Sequence, residues 1–146
     1  MPRDSDLSLA YLVLRATLGV NIFLHGVARI LGGQGHFVST LTQQFHSSLL
    51  PHFLVVAFGY TLPWAEAAIG LLVLIGLFTR AALILGALLI LVLTFGSSLL
   101  QDWQVVGLQL IYAIVYASLL AFLSANRFSV DALIGTTHFG GDETLS

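Results

Sequence analysis

The sequence predicts an all-α integral membrane protein: a four-helix bundle with an additional amphipathic helix in an outer loop. Of the 146 residues, 58% are hydrophobic and only 8% are charged, whereas charged residues make up about a quarter of a soluble domain. The mean hydropathy is +0.97. Four apolar runs each have about the 20 residues that a ~30 Å hydrocarbon core requires. A soluble bundle would need a polar stripe on every helix, and the third run contains no charged residue.

These runs define the helices of a single transmembrane domain that covers residues 1–146. The predicted helices occupy residues 7–31, 53–78, 81–100 and 103–124. The first run is too long for the apolar region of a signal peptide, so it is expected to be a true membrane helix. Gly-Gly-Gln-Gly at 32–35 ends it. Trp103 opens the fourth helix, where an aromatic side chain suits the membrane interface.

The loop after the first helix has a helical pattern of its own. Phe37, Leu41, Phe45 and Leu49 recur every four residues among Ser, Thr and Gln. This spacing predicts an amphipathic helix that lies in the membrane interface until Pro51 ends it.

The arginines predict the orientation, because the chain has no lysine and cytoplasmic segments favour positive residues. Arg3, Arg80 and Arg127 fall on one side of a four-helix arrangement, and Arg29 falls on the other. Both termini are therefore expected to be cytoplasmic. The net charge of −2 gives no reason to expect a nucleic-acid partner.

Two charged residues, Arg15 and Glu66, lie inside the apolar runs, where a charge costs roughly 2.5–3.5 kcal/mol on insertion scales. If the first helix enters the membrane at Leu7 and the second leaves at Phe78, their depths differ by about 6 Å at 1.5 Å per residue. An arginine side chain can cover that distance. The sequence therefore predicts a buried Arg15–Glu66 pair, which either fixes helix register or takes part in proton chemistry.

Each helix also presents one polar or small-residue stripe, which predicts a polar interior for the bundle. At about 100° per residue, the first-helix stripe comprises Arg15, Asn21, His25 and Arg29. On the second helix, the face of Glu66 is shared by Gly59, Pro63, Gly70 and Val73. The third and fourth helices contribute Thr94, Ser97, Ser98, Gln101, Gln109, Tyr112 and Tyr116.

Three segments resemble the DoxX/DoxD family of membrane proteins. They are RATLGVNIFLHGVARILGG at 15–33, PWAEAAIGLLVLIGLFTRAA at 63–82 and ANRFSVDALIG at 125–135. The resemblance implies a four-helix protein of a bacterial or archaeal cytoplasmic membrane that works with a redox partner subunit. It also implies a likeness to the large subunit of thiosulfate:quinone oxidoreductase.

Two functional hypotheses follow, and the sequence leaves open whether the chain is an enzyme. In the first, the chain is the membrane subunit of a quinone-linked oxidoreductase, and the resemblance implies the thiosulfate:quinone type. Glu66 would relay protons and Arg15 would hold it ionised, while His25, Tyr60 and Trp64 would border the quinone. Tyr112 would add a hydrogen-bonding hydroxyl, or simply pack. In the second hypothesis the chain is a non-catalytic scaffold or assembly partner of a redox complex; a homo-oligomer is compatible with either.

The residue types limit the redox chemistry of the chain itself. Without cysteine, the chain carries neither thiol–disulfide exchange nor an iron–sulfur cluster. His25 is the only histidine within a predicted membrane helix, so this chain alone would not supply two ligands to a haem. The histidines of the outer loop fit no standard metal spacing, and no metal site is expected. The chain is expected to be embedded in the lipid bilayer, and a quinone is the cofactor that the first hypothesis requires.

Overall fold

Helices account for all the regular structure in residues 3–138, the part of the chain that a computed structural model describes; side chains are described up to residue 135. The helices are α1 (Asp4–Leu31), α2 (Gln34–Gln44), α3 (His52–Ile75), α4 (Thr79–Leu99), α5 (Trp103–Ala121) and α6 (Val130–His138). One turn of 3-10 helix, Leu123–Ala125, precedes α6. Helices α1, α3, α4 and α5 are long and apolar enough to cross a membrane. The predicted all-α, multi-pass membrane architecture is confirmed.

Helices α1 and α3 form a close antiparallel pair because glycines bring their backbones into contact. A Cβ atom built on Gly19 would lie 2.6 Å from the Cα atom of Leu74, and one built on Gly70 would lie 2.6 Å from the Cα atom of Phe23. Real Cβ contacts are never so short, so no larger residue fits at either position without a shift of the helices. Small residues commonly allow such close packing of membrane helices. The glycines therefore fix how far α1 and α3 are displaced along each other.

Helices α4 and α5 complete the bundle and carry its lipid-facing surface. The ring of Tyr116 on α5 packs directly against Gly86 on α4. The Tyr112 hydroxyl donates a 3.1 Å hydrogen bond to the Asn21 side-chain oxygen, which joins α5 to α1. Large apolar side chains cover the outer faces of α4 and α5, including Leu88, Leu91, Leu108, Ile111 and Ile114.

Helix α2 confirms the predicted amphipathic loop helix, although it is shorter than predicted. Its buried residue Val38 packs against α3, where a Cβ atom built on Gly59 would lie 3.1 Å from Val38 Cγ2. The helix ends at Gln44 and not at Pro51. The Ser48 hydroxyl donates to the Phe45 carbonyl oxygen at 2.8 Å, and such local side-chain bonds compete with helix.

The turn between α3 and α4 is held by the segment that leads into α6. We call this contact, residues 72–79 with residues 126–131, the terminal junction. Gly76 ends α3 with a left-handed φ of +71°. The Asp131 carboxylate then accepts hydrogen bonds from the backbone N–H groups of Phe78 (2.8 Å) and Thr79 (2.7 Å). Asp131 thus caps the start of α4 from a distant part of the sequence.

The charge of Asp131 follows from these bonds. Burial raises the pKa of its carboxyl, but the hydrogen bonds from Thr79 and Phe78 and the nearby Arg15 charge lower that pKa by more. As a result, the pKa of the Asp131 carboxyl is below that of an ordinary aspartate. Because the folded pKa is depressed, the ionised carboxylate stabilises the fold at neutral pH. This stabilisation is lost as the pH falls from about 4, the ordinary aspartate pKa, through the folded pKa.

Asp131→Asn is expected to lower the free energy of unfolding by about 1 kcal/mol at neutral pH, because it weakens a helix cap. The difference from the wild type should shrink as the pH falls below about 4, because the carboxylate of the unfolded chain is protonated there before that of the folded chain. Unfolding in detergent at pH 7, 5 and 3.5 measures this. Asp6→Asn, at an exposed position on the same side of the bundle, is the control. A difference that stays constant across this pH range would contradict the assignment.

Candidate functional site

Glu66 forms a buried ion pair with Arg29. Glu66 lies in the middle of α3, and its side chain is 5% exposed; Arg29 lies in the last turn of α1, and its side chain is 28% exposed. Arg29 Nη1 donates a hydrogen bond to Glu66 Oε2. The Arg29 guanidinium carbon also lies 4.9 Å from the ring centre of Phe37 on α2, within cation–π range. One arginine thus connects α1, α2 and α3.

Among the described residues, the hydrogen-bond partners of Arg15 are all backbone carbonyl groups. Arg15 is 1% exposed, and its Nη1 donates to the carbonyl oxygens of Val73 (2.9 Å) and Leu74 (3.3 Å). Its Nη2 donates to the carbonyl oxygen of Phe128 at 2.6 Å. Val73 and Leu74 lie in the last turn of α3, whose carbonyl groups have no partner within the helix. Arg15 therefore caps α3 and ties the terminal junction to α1.

The predicted Arg15–Glu66 pair is wrong, and the helix register explains why. In each of the glycine contacts between α1 and α3 given above, the number of the α1 residue and the number of the α3 residue add up to 93. Gly19 meets Leu74, and Gly70 meets Phe23. This register places position 27, not 15, opposite Glu66, so Arg15 lies about 12 residues or about 18 Å away along the helix axis. The sequence estimate assumed that both helices meet the same membrane plane at Leu7 and Phe78. The glycines shift that register by about eight residues, which makes Arg29 the partner of Glu66.

The other predicted site residues are not brought together around Glu66. His25 is exposed, and its Nδ1 lies 2.9 Å from the Asn21 carbonyl oxygen. At 100° per residue, His25 lies about 80° from Arg15 around the axis of α1, which places it at the edge of the buried face of that helix. Tyr60 and Trp64 are exposed on the side of α3 turned away from Glu66. The Tyr112 hydroxyl donates its hydrogen bond to the Asn21 side chain. Any catalytic role of Glu66 and Arg15 stays a prediction.

A lateral groove of about 710 Å³ runs between α2, α3, α4 and α5, on the side of the bundle opposite the terminal junction. Its walls are mostly apolar and include Phe37, Leu41, Phe45, Phe58, Leu93 and Phe95. Arg29 lines one side and holds Glu66 just behind it. From the sequence, Arg29 was a member of the polar stripe of the first helix and a guide to the orientation, and no pattern predicted this groove.

Gln109 is the second polar feature of the groove. Its Nε2 donates a 3.0 Å hydrogen bond to the Ser97 hydroxyl, which connects α5 to α4. Its Oε1 is buried and has no hydrogen-bond partner among the described residues. A buried acceptor without a partner is costly, so Gln109, which lines the groove, has a hydrogen-bonding atom that is not satisfied. In residues 3–138, no group of three or more His, Cys, Asp or Glu side chains is placed to hold a metal ion.

Comparison with known proteins identifies a different family from the one expected. The family described as methylamine utilisation protein MauE matches residues 7–104, about two thirds of the chain, and covers α1 to α4 almost completely. No curated protein and no solved structure matches the chain.

The DoxX/DoxD resemblance is therefore wrong. The residues on which it rested have structural tasks that a membrane bundle of another family can share. Arg15 and Asp131 hold the terminal junction, and Gly19 and Gly70 let α1 and α3 touch. The segment at 125–135 lies beyond the matched region. The match over residues 7–104 shows that this chain belongs to the MauE family of membrane proteins.

Proposed function

We propose that this chain is a membrane accessory protein of a redox-related system for methylamine utilisation, and that it helps a partner enzyme to mature or assemble. The name of the MauE family supports the system. The observation that carries the accessory role is that both arginines within the membrane helices hold helices together. Within the described part of the chain, Arg15 donates only to backbone carbonyl groups, and Arg29 is paired with Glu66.

The surface of the bundle is compatible with a partner. Of the residues of α5, only Tyr116 and Leu119 are buried. The remaining apolar face of α5 is available to lipid, to a partner helix or to a second copy of the chain. Without cysteine, this chain would not carry thiol–disulfide chemistry itself. Under this proposal, the redox step belongs to the partner.

Deleting the gene in its own organism tests this proposal. We expect the deletion strain to lose growth on methylamine and methylamine-dependent dye reduction in cell extracts, and a plasmid copy to restore both. Growth on an unrelated carbon and nitrogen source is the control. Unchanged methylamine oxidation in the deletion strain would overturn the proposal.

A second measurement separates an accessory protein from a working subunit. The methylamine-oxidising enzyme is purified from wild-type cells until this chain is undetectable by immunoblot. An accessory role predicts that the enzyme keeps full turnover, because the chain acts before the enzyme is complete. Turnover that returns only when the purified chain is added back would assign the chain to the working enzyme.

A quinone-linked role is the second candidate function, and the lateral groove is the observation that favours it. The groove replaces the surroundings of His25, Tyr60 and Trp64 as the place for a quinone, because those three side chains do not converge. The thiosulfate:quinone reaction rested on the DoxX/DoxD resemblance and is not retained.

The orientation also stays a proposal. Arg3, Arg80 and Arg127 lie on the side of the terminal junction, whereas Arg29 lies near the opposite side and is paired with Glu66. This charge difference supports both termini in the cytoplasm.

A further inference from the structure

We propose that the lateral groove binds a membrane quinone, with the quinone ring held by the lining residues Arg29 and Gln109. This inference deepens the quinone-linked candidate and does not depend on the accessory role. It concerns binding alone and assigns no electron transfer to this chain.

The groove has the size and character of a small-molecule site. Ligand sites are typically clefts of about 300–1,000 Å³, mostly apolar, with a few polar groups that orient the ligand. The groove measures about 710 Å³ and has this composition. Residues from the transmembrane helices α3, α4 and α5 and from the interfacial helix α2 line it. A long-tailed ligand could therefore enter from the bilayer.

The polar groups favour a ligand that both accepts and donates hydrogen bonds. Arg29 uses Nη1 for Glu66. Its side chain lines the groove, is 28% exposed and has further N–H groups. These groups suit a carbonyl oxygen. Gln109 Oε1 is a buried acceptor without a partner in the described part of the chain, which suits a hydroxyl group. A quinone has carbonyl groups, and its reduced form has hydroxyl groups.

The charges around the groove argue against an anionic lipid headgroup. Glu66 neutralises Arg29, and Asp102 adds a carboxylate to the groove wall. The sum of these three charges is −1, so a phosphate headgroup would meet no net positive field. A neutral ring avoids this repulsion.

The aromatic side chains favour a flat headgroup. Phe37, Phe45, Phe58 and Phe95 all line the groove. Aromatic rings prefer offset-stacked or edge-to-face contact with other flat rings. An acyl chain fits equally well against aliphatic residues and does not explain four phenylalanines. The ring shape, the neutral charge and the hydrogen-bonding groups together point to a quinone.

Decylubiquinone binding to the purified chain in phosphatidylcholine nanodiscs tests this inference, with empty nanodiscs subtracted. Gly96→Leu fills the groove, because Gly96 lines it and a Cβ atom there would lie 3.4 Å from Phe45 Cζ. Gly107→Leu is its control, since a Cβ atom on Gly107 meets nothing within 4 Å. Gln109→Leu removes the open acceptor. Gln104→Leu, at an exposed position of the same helix outside the groove, is its control.

We expect saturable binding by the wild-type chain and no detectable binding by Gly96→Leu. Gln109→Leu should raise the Kd about tenfold, the usual scale of one lost hydrogen bond, and both controls should bind like the wild type. Thermal unfolding of each variant checks that it is folded. Absent wild-type binding, or equal binding by Gln109→Leu and Gln104→Leu, would overturn the inference. Displacement of decylubiquinone by phosphatidylglycerol would overturn it in favour of a lipid site. Growth on methylamine reports on the accessory role separately.

Discussion

Arg29→Leu is expected to destabilise the bundle by about 3–5 kcal/mol, the usual effect of removing one partner from a buried ion pair. The variant leaves the Glu66 carboxylate in the middle of α3 without its countercharge. Because the Glu66 side chain is only 5% exposed, it cannot reach water by changing rotamer. The contact between the Arg29 guanidinium and the Phe37 ring is lost as well, so α2 should also loosen.

Glu66→Leu should destabilise the bundle less than Arg29→Leu does. The Arg29 side chain is 28% exposed, and a long arginine side chain can extend toward the interface when its partner is missing. The double variant should regain much of the loss, because leucine pairs often replace buried ion pairs without a stability loss. Unfolding in mixed micelles with increasing sodium dodecyl sulfate measures all three variants.

Arg80→Leu is the control for these measurements, since Arg80 is exposed and should change stability by less than about 0.5 kcal/mol. Equal destabilisation by Arg29→Leu and Glu66→Leu would contradict the prediction that a buried carboxylate without its partner costs more than a partly exposed arginine without its partner. A double variant that is less stable than either single variant would contradict the ion pair.

The helices were predictable from the sequence because membrane helices leave a strong signal in hydropathy alone. Each observed membrane helix begins and ends within three residues of its predicted bounds. The extent of α2 was harder to predict. The apolar spacing continues to Leu49, but the helix ends at Gln44 and Ser48 bonds back to Phe45.

The partners of the charged residues were not predictable, because they depend on helix register. Hydropathy places a helix in the membrane to within a few residues, but the contacts of Gly19 and Gly70 determine its displacement along its neighbour. A register shift of about eight residues moves a side chain by about 12 Å, which is enough to exchange Arg15 for Arg29. The glycines were visible in the sequence, but their contacts on the opposite helix were not.

Gln109 shows a second limit of sequence reasoning. Its place in the polar stripe of the fourth helix was evident, and the structure confirms a bond to Ser97 on the third. Its other amide atom has no partner among the described residues, and the residue lies beside an apolar groove that α2, α3, α4 and α5 form together. Such an arrangement involves four helices, and no local pattern reports it.

Arg15→Leu is the second variant for which we expect a large effect, and the effect should be strongest at the terminal junction. Three carbonyl groups, those of Val73, Leu74 and Phe128, lose their donor. Each buried polar group without a partner costs about 1–3 kcal/mol, so the total should reach about 3 kcal/mol or more. Arg15→Lys should fall in between, because a compact ammonium group cannot span carbonyl groups on two elements as a guanidinium does.

Trypsin provides a local measurement of this variant, because it cleaves after Arg127, an exposed residue next to Phe128. Without Arg15, residues 126–131 lose the buried bond of Phe128 to α1. They keep the exposed Arg127–Asp4 ion pair and the contacts of Asp131 and Asn126 with the α3–α4 turn. Cleavage after Arg127 should therefore be faster in Arg15→Leu than in the wild type, while Arg80→Leu should leave its rate unchanged. Because the glycine contacts between α1 and α3 do not involve Arg15, this loosening should precede unfolding of the bundle. Cleavage after Arg127 at the wild-type rate would show that Arg15 does not hold the terminal junction.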